Sequence, residues 1–177
     1  MKDLLLLFSF QKMIKTRAVL LAVLLTLPIC LFGSAPINIS NSPSTQSTFP
    51  RITVDPDGYI HVVWAEFYSS SGGNLFYCRG EPGGTGWSEP LKISTTNVTK
   101  DSCEIDSDGS GRLYGAWIDN NSIKLRVFSG GQWNSPVTIA SGRGDFYHLR
   151  LAVSSPGDIY AVWWTTSKRR VYSRARV

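Results

Sequence analysis

The chain has 177 residues, a formal charge of +5, and 42% apolar and 18% charged residues. Four of its 18 basic and one of its 13 acidic residues lie in the first 35, which leaves +2 for the remainder. Five of the 14 remaining basic residues are Lys168, Arg169, Arg170, Arg174 and Arg176. The positive charge is therefore a local tail, and a nucleic-acid binder with a basic face across the domain is excluded.

Residues 1–35 read as a secretory signal or an N-terminal anchor. Lys12, Lys15 and Arg17 precede an apolar run from Ala18 to Phe32, and Gly33-Ser34-Ala35 supplies the small-residue exit. The run is short for a membrane span, which takes about 20 apolar residues. Met13 is a second candidate start and gives a compact basic n-region. Cleavage is expected near Ala35, with the mature chain secreted, periplasmic or at the cell surface. Residues 36–48 are rich in Ser, Asn, Thr and Pro and read as a flexible linker.

From Phe49 onward the chain repeats. The stretch Gly-x-Φ-[His/Tyr]-x-Φ-Trp, with Φ apolar, occurs at Gly58–Trp64, Gly111–Trp117 and Gly157–Trp163. A short Φ-x-Φ run precedes each copy: Ile52-Thr53-Val54, Cys103-Glu104-Ile105 and Leu151-Ala152-Val153. After each Trp comes Φ-x-x-Arg, ending at Arg79, Arg126 and Arg174. Trp-x-x-Pro-Φ-x-Φ follows twice, at Trp87–Ile93 and Trp133–Ile139. All are short, rich in β-branched and aromatic residues, and bounded by Gly, Pro, Asp and Ser, so each reads as a strand. Pro56-Asp57-Gly58, Asp108-Gly109-Ser110-Gly111 and Ser155-Pro156-Gly157 are the turns between first and second strands. Four antiparallel strands per ~45 residues describe a propeller blade. The fold class is all-β: a β-propeller of four-stranded antiparallel blades at 49–94, 101–140 and 147–177, preceded by a signal helix.

Several residue types carry little chemistry. Cys30 leaves with the leader. Cys78 and Cys103 stand on different repeats and are expected as unpaired thiols, since such positions seldom come within disulfide reach. Asp55-Pro56-Asp57-Gly58 and Asp106-Ser107-Asp108-Gly109 hint at calcium but lack the distal Glu of a full loop. They read as turns. His61 shares its repeat position with Tyr114 and Tyr160 and reads as structural. No Ser-His-Asp arrangement, zinc spacing or phosphate loop is present, and neither metal nor cofactor is expected.

The pattern Pro-Arg-Ile-x-Val-Asp-Pro-Asp-Gly-x-Ile-His-Val-Val-Trp at 50–64, followed by Phe-Tyr-Cys-Arg and Trp-Ser-Glu-Pro-Leu-Lys-Ile-Ser, resembles sialidase-like β-propellers built from bacterial neuraminidase (Asp-box) repeats. The family's box, Ser-x-Asp-x-Gly-x-Thr-Trp, is degenerate here. Gly80–Trp87 and Ser129–Trp133 keep Gly and Trp without the Asp, although Glu81 lies next to its place. The resemblance implies a six-bladed ring of which about three blades are present.

A family sialidase uses an Arg triad for the substrate carboxylate, a Tyr–Glu nucleophile pair and an Asp acid. Arg51 and Arg150 hold equivalent places at the start of first strands, with Ser102 in the middle repeat. First strands line the channel in such propellers, so both Arg are expected at its mouth, where Arg pairs bidentately with an acidic sugar. The plainer reading, and the preferred one, is a pair of solvent-facing strand ends, as most arginines are surface residues. Phe49-Pro50-Arg51-Ile52 has the family's Arg-Ile-Pro order wrong, so the triad role is not carried over. Loops after second and fourth strands are expected on the ligand face, since function concentrates on loops. They contain Glu66, Tyr68, Asp119, Asn120 and Asn121, then Lys100, Asp101, Arg143, Asp145, Phe146, Tyr147 and His148. The candidate ligand set is Arg51, Arg150, Glu66, Asp119, Asp145, Tyr147 and His148.

The resulting expectation is an exported, non-catalytic module that binds glycans or cell-surface proteins. The alternative is a fragment of a sialidase-type glycoside hydrolase. Propellers close with about 4–8 blades, so three blades should leave open flanks, drawn from sets such as Ile60, Val62, Ile159 and Val162. The chain is then expected either to continue into further blades or to self-associate and complete a ring.

Overall fold

The computed structural model describes residues 35–42, 46–69, 72–95, 98, 103–143, 145–155, 157–167 and 170–175. The expected leader, apart from Ala35, lies outside them. So do Lys100, Asp101 and Ser102, and Lys168, Arg169 and Arg176 of the basic tail. Residues 35–37 have no regular structure. Residues 38–177 form a separate compact unit, described next.

Every strand pairing in this unit is antiparallel, and no helix occurs among the described residues. The first sheet runs β1 (Gln46–Val54), β2 (Ile60–Ser69), β3 (Gly72–Gly80), β4 (Leu91–Lys92) in that order. The second runs β5 (Cys103–Ser107), β6 (Leu113–Asp119), β7 (Ser122–Ser129), and both β8 (Gln132–Trp133) and β9 (Val137–Ser141) pair with β7. The third holds β10 (Phe146–Val153), β11 (Ile159–Thr165) and β12 (Arg170–Ala175). The all-β expectation holds. No closed barrel or ring forms among the described residues.

The sheets are joined by two cores. Val63, Ala65, Leu75 and Tyr77 of the first sheet pack with Ile105, Leu113 and Trp117 of the second. Tyr114, Ala116, Ile118 and Leu125 of the second pack with Leu149, Ile159, Ala161 and Trp163 of the third. Side chains alternate across a strand, so β6, with a core on each side, is buried from Leu113 to Ile118. It accommodates this by being narrow at Gly115, where an added Cβ would lie 3.2 Å from the Trp133 ring.

The three repeated turns are built alike. Gly58, Gly111 and Gly157 have φ of 85°, 79° and 87°, which only Gly adopts without strain. Three residues earlier, Asp55 Oδ1, Asp108 Oδ1 and Ser154 Oγ accept the N–H of Tyr59 (2.9 Å), Arg112 (3.1 Å) and Asp158 (3.1 Å). These aspartates therefore close turns. Asp55 Oδ2 also lies 3.0 Å from His61 Nε2, while His61 Nδ1 meets the Tyr77 hydroxyl at 2.9 Å. Burial lowers the His61 pKa, against the opposing pull of the Asp55 carboxylate. Burial likewise pushes the Tyr77 phenol up to about 12.

Four sequence expectations need correction. The Trp-x-x-Pro stretch is not one strand. Trp87 makes a lone bridge to Gly80 and β4 begins only at Leu91, while Pro136 separates β8 from β9. Proline has no N–H for the ladder, and Pro90 and Pro136 fall at the interruption. The first-strand alignment slips by two in the middle repeat. Ile52 pairs Val62, Leu151 pairs Ala161 and Ile105 pairs Gly115, so Ile105, not Cys103, matches Ile52. The third-strand alignment slips by one, because Val62, Gly115 and Ala161 pair Cys78, Arg126 and Arg174. Ile159 belongs to the core between the second and third sheets rather than to an open flank. In addition, β1 starts at Gln46, inside the stretch read as linker, and Ile39 packs against Val62, Trp64 and Cys78. Cys78 and Cys103 are both buried free thiols.

Candidate functional site

The corrected alignment places Arg51, Glu104 and Arg150 at one repeat position. They pair with Val63, Ala116 and Val162. Because the first strands of the three sheets run side by side, these side chains meet. Arg51 Nε and Arg150 Nη1 each donate to Glu104 Oε1 at 2.9 Å. The Glu104 side chain is buried, whereas those of Arg51 and Arg150 are 29% and 59% exposed. Two guanidiniums face one carboxylate, so the cluster keeps a net positive charge, concentrated on Arg150. Each bond is charge-assisted, the strong class of protein hydrogen bond.

A second rung lies two residues further along. Asp106 Oδ2 accepts the N–H of Val153 at 2.7 Å, and the Ser107 hydroxyl donates to the carbonyl of Val54 at 3.1 Å. On the other side, the Cys103 thiol donates to the carbonyl of Phe49 at 3.0 Å. Burial pushes this thiol up to about 12 and that of Cys78 up to about 11.

Both arginines follow a β-bulge. The register shifts between Thr48 and Arg51, and again between Tyr147 and Arg150. Two residues before each Arg, Phe49 and His148 have φ of 54° and 53°. Such left-handed backbone costs a non-glycine residue on the order of 1 kcal/mol, and bulges of this kind re-aim the side chains beside them. Here they turn Arg51 and Arg150 toward the second sheet.

The remaining candidates divide. Asp145, Tyr147 and His148 share one end of the third sheet. The Tyr147 hydroxyl donates to Asp145 Oδ2 at 3.4 Å, and the Tyr147 ring lies 5.5 Å from Trp164 and 6.3 Å from His148. Asp119 ends β6 and takes part in the turn to β7, accepting from Asn120 Nδ2 at 3.3 Å. Glu66 is not on an open loop. It is buried in β2, where it accepts the Trp64 indole N–H at 2.9 Å and the Ser42 hydroxyl. It is an internal anchor for an aromatic that needs a partner when buried.

Sequence reasoning missed Glu104, although a signal was present. Arg51, Glu104 and Arg150 each stand seven residues before the repeated glycine. Counting from that glycine, rather than matching apolar residues, finds the register.

No family model and no curated protein sequence matches this chain. Among solved structures, it is similar to a protein of unknown function from Dyadobacter fermentans, at a TM-score of 0.63 and 18% identity over 82% of this chain and 51% of that one. It is also similar to an endo-arabinase from Bacteroides thetaiotaomicron, at a TM-score of 0.51 and 12% identity over 81% of this chain and 60% of that one. The chain thus spans about half the length of the first and three fifths of the second. At these identities the likeness is one of fold.

Proposed function

We propose that the chain is a non-catalytic binding module, exported to the periplasm or cell surface, whose three sheets are blades of a sialidase-like β-propeller. Its ligand is a glycan or glycoprotein carrying an acidic group. The observation that carries this reading is the convergence of Arg51 and Arg150, from alternate sheets, on Glu104. Arginine pairing of this kind suits a carboxylate, and the Arg150 side chain stays 59% exposed. The arginines are already engaged with the protein's own carboxylate, which suits recognition better than catalysis. Glycosidic hydrolysis needs two carboxyl groups placed across a pocket.

Binding of the purified chain to an array of neutral and acidic glycans tests this. Acidic glycans should bind selectively. Arg150→Ala should weaken them by roughly tenfold or more, as expected for one lost charge-assisted hydrogen bond. Arg112→Ala should not, because Arg112 is committed to Asp108 at 2.7 Å. Equal losses from both substitutions, or no glycan binding, would remove the proposal. Hydrolysis of a fluorogenic sialoside would replace it with a sialidase-type enzyme.

A further inference from the structure

We infer that the outer face of the third sheet is a docking surface for one more antiparallel sheet, and that this partner sheet carries a carboxylate at the place of Glu104.

The face is an interface twice within the chain and open the third time. In the first sheet His61, Val63 and Ala65 are buried on the side of the second sheet. In the second, Tyr114, Ala116 and Ile118 are buried against the third. The register makes Tyr160, Val162 and Trp164 their counterparts. Tyr160 and Val162 are 47% and 39% exposed, while Ile159, Ala161 and Trp163 between them are buried on the other side. An open cavity of about 410 Å³ lies here, lined by His148, Val162, Trp163 and Trp164. Adjacent apolar surface of this kind marks an interaction site. Its shape repeats one that the chain covers with a sheet on two occasions.

Charge selects the occupant. Along the inner strands the shared position alternates Arg51, Glu104, Arg150, with 2.9 Å between neighbours. The next inner strand would meet Arg150, the most exposed of the three. A second copy docking by its first sheet would bring Arg51 there, and like charges at an interface suppress that partner. The outer side of the first sheet is also partly occupied, since Val62, Trp64 and Cys78 are buried under Ile39 and Trp87. A sheet with Glu or Asp at this position instead continues the alternation. The inference shares Arg150 and His148 with the glycan proposal, but protection of position 162 is read without any glycan, so either can fail alone.

The register supplies a test. Ala175 pairs Tyr160 as Arg79 pairs His61. Joining a second copy of residues 82–142 after Val177 therefore continues the repeat in phase and presents a second Glu104. A Val162→Cys variant, with Cys30 and the appended copy of Cys103 replaced by Ser, reports coverage by its rate of reaction with a maleimide, since Cys78 and Cys103 are buried. The extension should slow this reaction by roughly tenfold or more, as a tethered partner at high effective concentration would. Replacing the appended glutamate by Arg should restore most of the rate. Unchanged labelling of the folded, extended chain, or equal protection with glutamate and Arg, would overturn the inference. The unextended Val162→Cys chain provides the second measurement. Labelling independent of protein concentration is the expected result, whereas protection that grows with concentration would identify a second copy as occupant and refute the acidic partner.

Discussion

Glu104→Ala removes the acceptor shared by two sheets on either side of it, and its effect on stability can be worked from the geometry. A hydrogen bond to a charged group contributes about 1.5–3 kcal/mol. The Arg51 bond qualifies, because Arg51 is 29% exposed and Glu104 is buried. The Arg150 side chain is 59% exposed, so its bond belongs with surface ion pairs, at about 0–1 kcal/mol. The two freed guanidiniums regain water, which limits the further penalty. Glu104→Ala should thus cost about 1.5–4 kcal/mol. For a chain of this length that lowers Tm by about 3–16 °C. Arg51→Ala should cost slightly less, about 1.5–3 kcal/mol, and Arg150→Ala about 0–1 kcal/mol. Urea unfolding followed by tryptophan fluorescence gives all three values, and raising salt should diminish the Arg150 effect first. An Arg150→Ala loss equal to that of Glu104→Ala, or no loss from Glu104→Ala at low salt, would refute the assignment of Glu104 as the central acceptor.

Two further substitutions probe the turn and the core. Asp108 accepts from the Ser110 amide and hydroxyl, from the Arg112 amide and Nε, and from the Tyr114 hydroxyl. Burial alone would raise its carboxyl, but these donors hold it well below the usual carboxylate range. Its stabilisation is therefore complete above the unfolded value of about 3.9 and is lost as the pH falls below that. Asp108→Asn should lower stability at pH 7 by about 1–3 kcal/mol and flatten the loss below about pH 4. An unchanged acid limb in urea midpoints would show that another carboxylate governs it. Gly115→Ala places a Cβ 3.2 Å from the Trp133 ring and 3.5 Å from Ile93. Overpacking of this kind costs about 1–3 kcal/mol, and near-UV circular dichroism should report the displaced indole. A stability equal to wild type would mean that the two sheets can separate more freely than the packing implies.

The strands and their turns were legible in the sequence because their determinants are local. A left-handed glycine preceded by Asp or Ser makes its turn from neighbouring atoms, and Ile159–Thr165 is rich in the β-branched and aromatic residues that favour a strand. The equivalence of Arg51 and Arg150 was legible for the same reason, since each has the same spacing to its glycine and Trp. What matching by residue type could not supply was the register of the middle repeat, where Cys103-Glu104-Ile105 imitates the pattern two residues early. A shift of two keeps every side chain on its face, so apolar periodicity cannot detect it.

Tertiary structure decided everything that depends on one sheet meeting another. Glu66 appears in the chain as a polar residue near a strand end, but the Trp64 indole needs a buried acceptor and takes it. Ile39 lies in a stretch too polar to build a core of its own, yet it packs on one that the first sheet provides. Glu104 is one more acidic residue in a strand until the bulges at Phe49 and His148 swing two arginines onto it from opposite sides. Local sequence encodes the turn and the alternation. The partner of a buried charge is set by the stacking of elements some 50 residues apart, and only the folded chain brings those together.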